Sequence, residues 1–211
     1  MGAGRLAVCL LSLLGAALAA APATAADMSS LGIENAMPPP APVIAPGPNT
    51  YINFLDEARF GVYAHNWIHD ENSPVDVSVE VLTSPIGYPN NIGGQWFSWF
   101  FNPRLNIGGM INTGGKTSYG FTGFTWRIPI YKGFFFEGEF GAAVNTSPLR
   151  DEPGRVNTGC RFDFRESGGF GYQFNEHWDV IANIEHISHA SLCTSINPGL
   201  TQVGARVGYK F

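Results

Sequence analysis

From Tyr51 to Phe211 the chain repeats a pattern with a period of two. The closing segment places Thr201, Val203, Ala205, Val207, Tyr209 and Phe211 on one face, with Gln202, Gly204, Arg206, Gly208 and Lys210 on the other. Such alternation predicts a strand, because successive side chains on an extended backbone point to opposite sides. The segment before it behaves alike. Trp178, Val180, Ala182, Ile184, His186 and Ser188 oppose Asp179, Ile181, Asn183, Glu185 and Ile187. His186 and Ser188 thus stand on a face that otherwise reads as apolar.

The same reading predicts strands over Ala58–Asn66, Val75–Val81, Arg104–Asn112, Phe124–Ile130, Phe134–Val144 and Arg161–Phe174. Gly123 reads as a bulge at the start of the fourth. With the last two, this makes eight strands and no helical period of useful length. One face is apolar. The other carries Arg59, Asp76, Glu80, Arg104, Arg127, Glu137, Glu139, Asp163, Arg165, Asp179, Glu185, Arg206 and Lys210. Mixed charges of this kind pair across a narrow lumen, whereas a soluble ligand-binding barrel keeps its apolar set inside. The expected fold is all-β: an eight-stranded antiparallel outer-membrane β-barrel, closed because open edges are not tolerated in lipid. Short connections at 131–133 and 175–177 read as periplasmic turns, and 145–159 and 189–199 as outer loops. The aromatic run Trp96 to Phe101 reads as a girdle or an interfacial segment.

The first fifty residues read differently. Arg5, the apolar run Leu6–Ala21 and Ala23-Thr24-Ala25 form a signal peptide over 1–25. An Ala- and Pro-rich linker follows over 26–50, and the transmembrane β-barrel occupies 51–211. Formal net charge is -5 with no basic stripe, which gives no footprint for nucleic acid. Cys160 and Cys193 remain after signal removal, and an oxidising compartment favours one disulfide between them. The histidines show no metal-ligand spacing, and no phosphate loop or dinucleotide fingerprint is present, so neither metal nor cofactor is expected.

Residues two apart on a strand share a face at about 6.5–7 Å between Cα atoms. His186 can therefore approach Ser188 closely enough for general-base activation of the hydroxyl. By spacing alone the pair also fits two ordinary interface residues at a strand end. The wider run Glu185-His186-Ile187-Ser188-His189-Ala190, then Asn197-Pro198-Gly199-Leu200-Thr201 and a closing strand ending in Phe, resembles the PagL family of outer-membrane lipid A 3-O-deacylases. The resemblance implies a barrel whose serine attacks the 3-position acyl ester of lipid A, assisted by a histidine and a glutamate. It assigns Ser188 as nucleophile and His186 as base. Two positions depart from the family pattern: His189 replaces the Asn that commonly follows the serine, and Thr201 occupies the place of the acid.

Glu166 is the charge among Phe162, Phe164, Phe170, Tyr172 and Phe174, and counting back from a turn between Phe174 and Trp178 pairs it with His186. It is a candidate substitute acid. The same register brings Cys160 beside Cys193 above the site. Backbone amides after Ser188 are candidate oxyanion donors. The implied partners are lipopolysaccharide through its lipid A, the surrounding outer-membrane lipids, and the barrel assembly machinery, which would receive the C-terminal strand. The implied location is the Gram-negative outer membrane, with the site at the outer leaflet. Two other readings fit the pattern: a non-catalytic barrel in adhesion or envelope structure, and an outer-membrane phospholipase, which shares H-x-S but is a larger barrel with a calcium site.

Overall fold

The computed structural model describes residues 52–68, 71, 75–86 and 100–211. The expected signal peptide and linker, and residues 96–99 of the aromatic run, lie outside the described residues. Eight strands follow in order: β1 Glu57–Ala64, β2 Asp76–Leu82, β3 Arg104–Asn112, β4 Tyr119–Tyr131, β5 Phe134–Asn145, β6 Phe162–Gln173, β7 Trp178–Ser188 and β8 Leu200–Lys210. Each pairs antiparallel with the next, and β1 pairs with β8, so the sheet closes on itself and leaves no edge. The chain enters β1 and leaves β8 at the end that carries the β4–β5 and β6–β7 turns, and the opposite end carries the β5–β6 and β7–β8 loops.

The alternation sorts as the sequence implies. Phe60, Val79, Ile107, Phe140, Phe170, Ile184 and Val207 point outward and are exposed, while Arg59, Glu80, Arg165, Asp179 and Arg206 are buried in the lumen. β4 differs from the expectation. It begins at Tyr119, and Gly123 is no bulge but pairs regularly with Gly141; the register shifts instead between Pro129 and Tyr131. The cause of the shift is Pro129, which has no N–H for the ladder. β1 likewise stops short of Asn66, whose φ of 44° turns the chain away.

The lumen is filled in two layers. Towards the termini end, Arg59, Arg104, Arg127 and Arg206 interleave with Glu57, Glu80, Glu137, Glu139 and Asp179 in a continuous ion-pair network. Buried charges survive in this way, each meeting an opposite charge with good geometry. Above it, Tyr63, Met110, Tyr119, Phe121, Ala143, Ile187 and Leu200 form an apolar plug. Arg165 joins the layers: its guanidinium holds Glu185 at 2.7 Å and Glu139 at 2.8 Å and lies 3.7 Å from the Phe121 ring centre.

The outer loops are tied to one another. His65 holds Asp76 and Glu71, at 2.8 and 2.9 Å, and Glu71 accepts the amide of Val156 in the β5–β6 loop at 2.7 Å. Burial opposes protonation of His65, but its hydrogen bonds to Asp76 and Glu71 and their charge outweigh that and lift its pKa to about 9. Burial also acts to raise the Glu71 carboxyl, and the bonds from His65, Val156 and Asn66 bring it below its ordinary value. A disulfide between Cys160 and Cys193 then joins the β5–β6 and β7–β8 loops.

Candidate active site at the outer ends of β6 to β8

The ladder places the sequence candidates on one patch of the outer wall. Glu166 on β6 is the direct partner of His186 on β7, and His186 is the direct partner of Thr201 on β8. The count from the Phe174–Trp178 turn therefore holds, because a short turn fixes register. Ser188 stands two residues further along β7, opposite Phe164.

Thr201 is buried, 4% exposed, and its Oγ1 lies 2.8 Å from His186 Nδ1. A neutral imidazole whose Nδ1–H is donated to that hydroxyl keeps its Nε2 lone pair free, which is the form a general base requires. The ring edge bearing Nε2 faces Gly199. A Cβ on that residue would fall 2.5 Å from Cε1 and 2.8 Å from Nε2, and its φ of +67° favours glycine independently. Gly199 thus lets the returning loop close against the imidazole. Among the described residues no hydrogen bond joins Ser188 to His186, so the two share a face without being engaged. Catalytic hydrogen bonds of this kind commonly form or tighten only with substrate bound.

The β7–β8 loop is held by the residue that departs from the family pattern. His189 is buried; its Nε2–H donates to the Ile196 carbonyl at 2.8 Å and its Nδ1 accepts the Cys193 amide at 3.3 Å. Its own amide donates to Asn197 Oδ1 at 3.2 Å. Ala190 and Ser191, with φ of 50° and 62°, turn the chain within this frame. The sequence pattern offered no sign that His189 would serve as the loop's anchor.

A trench leads away from the site. Glu166, Ser167, Gly168, Ile184 and His186 line a cleft of about 200 Å³. One ladder row, Ile184–Gly168–Gly138–Trp126, runs from this cleft towards a second, wholly apolar pocket of Phe100, Trp126, Ile128, Phe136 and Gly138. The row above it contains Phe124 and Phe140, and the row below Ile128, Phe136 and Phe170. A Cβ on Gly138 or Gly168 would meet nothing nearer than the Phe136 ring, at 3.7 and 3.9 Å. Packing therefore does not demand glycine at either position, unlike the lumen-facing Gly171 and Gly204, where a Cβ would collide with Phe135 or Tyr63. What these two glycines provide is an open floor. Three strand spacings make the trench about 14 Å long.

A family model described as lipid A 3-O-deacylase (PagL) matches residues 86–210, a span that holds Glu166, His186, Ser188 and Thr201. The chain belongs to the PagL family. It is accordingly a carboxylic ester hydrolase that acts on lipid A in the Gram-negative outer membrane. The fold is similar to the crystal structure of the outer membrane enzyme PagL, with a TM-score of 0.54 and 15% identity, covering 74% of this chain and 99% of that one. Similarity is lower to a transmembrane β-barrel from de novo design (TM-score 0.43, 12% identity, 74% and 95% covered) and to Ail from Yersinia pestis (0.40, 12%, 74% and 99%). No curated protein matches the sequence. No group of ligating side chains that could hold a metal ion occurs among the described residues.

Proposed function

We propose that Ser188 is the nucleophile of this PagL-family enzyme, that His186 is its general base, and that the 3-linked acyl chain of lipid A lies along the Gly168–Gly138 trench. The observation that carries the reading is the outward-facing set Glu166, His186, Ser188 and Thr201 at the head of an apolar trench. A base and a hydroxyl on a membrane-facing wall are of use to a substrate that is itself in the membrane. At about 1.2 Å of advance per bond, a trench of about 14 Å takes an extended chain of about a dozen bonds.

In this scheme Ser188 Oγ attacks the ester carbonyl carbon while His186 Nε2 takes its proton. The tetrahedral oxyanion needs donors. The amides of His189, Leu192 and Cys193 are already bonded within the loop, so those of Ala190 and Ser191 supply them. Collapse breaks the bond to the sugar oxygen, and His186 returns the proton to that leaving group. Water, activated by the same histidine, then cleaves the acyl-Ser188 ester and releases the fatty acid. Thr201 holds the imidazole in the productive tautomer throughout. Lipopolysaccharide and neighbouring outer-membrane lipids are the partners in this reading, and the assembly machinery engages β8 during insertion.

The test is mass spectrometry of lipid A from cells carrying the enzyme or its Ser188→Ala variant. Loss of one 3-linked acyl chain with the parent and not the variant is expected. Equal loss with both removes Ser188 from the role of nucleophile.

A further inference from the structure

We infer that the duties of the missing triad acid are divided between two strands: Thr201 on β8 orients the imidazole, and Glu166 on β6 supplies the negative charge that stabilises it when protonated. The inference rests on His186 being the base. An acid in a triad does two separable things, fixing a tautomer and offsetting the imidazolium charge. A threonine hydroxyl does the first, as the 2.8 Å contact to Nδ1 shows, but carries no charge for the second.

Glu166 is the residue in a position to complete the set. It is the direct ladder partner of His186, which brings the two Cβ atoms to about 4.5–5.5 Å. Both line the same cleft. Its surroundings on the outer wall are apolar: Phe164 along its own strand, Phe140 across the ladder, and Phe170 beyond Gly168. The adjacent cation, Arg165, points the other way into the lumen and is committed to Glu185 and Glu139. Among the described residues Glu166 has no salt bridge and no hydrogen bond. A lone carboxylate on a lipid-facing wall is unfavourable in the resting enzyme. It gains a counter-charge when His186 takes the serine proton. An interaction absent in the ground state and present in the transition state raises kcat without tightening substrate binding.

The experiment measures kcat and KM separately on purified enzyme in mixed micelles of lipid A, after Ser188→Ala has established the nucleophile. Glu166→Gln is expected to lower kcat by about 100- to 1000-fold at unchanged KM, the size of one charge pair about 4–6 Å apart at an effective dielectric near 20. The double variant Glu166→Gln/Thr201→Glu places a carboxylate directly on Nδ1 and should recover most of that loss. Should the double variant fail to fold, shown by its gel mobility before and after heating, the single variant still decides. An unchanged kcat in Glu166→Gln overturns the inference. So does a raised KM at unchanged kcat, which would make Glu166 a substrate contact. A loss that Thr201→Glu does not restore in a folded double variant would also overturn it.

Discussion

Arg165→Met tests whether the lumen network supports the site on the wall behind it. Arg165 is 1% exposed, grips Glu185 with two nitrogens at 2.7 Å each, and reaches Glu139 at 2.8 Å. Its β6–β7 seam is also that of Glu166 and His186, which point outward from the next positions along each strand. Methionine preserves most of the apolar contact with Phe121 but, among the described residues, leaves Glu185 with only the Tyr119 hydroxyl, at 2.6 Å. Glu139 retains Arg206 and, at 3.3 Å, Arg59. The loss is thus concentrated on one orphaned carboxylate, and removing a single partner of a buried pair costs about 3–5 kcal/mol. Neutralising that carboxylate should recover most of the loss, so Arg165→Met/Glu185→Gln is expected to be much the more stable variant. Urea unfolding in detergent micelles, followed by tryptophan fluorescence and by heat-dependent gel mobility, measures both. A cost below about 1 kcal/mol for Arg165→Met, the range of exposed pairs, would refute the reasoning. A double variant no better than the single would do the same.

Other expectations follow from particular contacts. Gly168→Val fills the trench floor and should lower kcat/KM for long acyl chains by about tenfold relative to short ones, whereas Gly120→Val, on the outer wall of β4 with only the Gly108 carbonyl near its Cβ, should not; a length series of ester substrates reads the difference. Cys160→Ser opens a link spanning 33 residues, worth about 3–4 kcal/mol against a wholly unfolded chain. Because the strands persist, the loss should appear as faster hydrogen exchange in the β7–β8 loop and lower activity, with the barrel's gel mobility unchanged. The His65 latch has a pH window. Its pKa is raised, so its contribution is full below the ordinary histidine value and is lost as pH rises through about 9. Glu71 is lowered, so its contribution is present above the ordinary carboxylate range and is lost as pH falls beneath it. Protection of the Val156 amide should therefore fall on both sides of neutrality, and His65→Gln should abolish the alkaline limb.

The strands were legible wherever side chains on alternate positions differed in polarity, as in Val75–Val81 or Thr201–Phe211. The beginning of β4 was not. Tyr119 and Phe121 point into the lumen and are 4% and 5% exposed, so the stretch reverses the apolar-outward rule on which the reading relied. Glycines at 120 and 123 carry no polarity to correct it. The Glu166–His186 pairing was legible because a short turn leaves the ladder little freedom to slip. The disulfide followed from the same count. The role of His189 was hidden, since its partners, Ile196 and Cys193, are backbone groups whose positions only the folded loop defines. The trench was hidden for a similar reason: Gly138 and Gly168 are 30 positions apart in sequence and become neighbours through β5–β6 pairing alone.

With the proposed pair His186 and Ser188 on the outer wall, the enzyme meets its substrate by diffusion in two dimensions rather than three. The relevant concentration is then the fraction of the surrounding lipid that is substrate, not the amount per litre of suspension. Adding inert amphiphile at constant enzyme and constant lipid A dilutes the surface and slows turnover, whereas adding buffer does not. Rates for this protein acquire meaning only when expressed per mole fraction of lipid A in the film around the barrel.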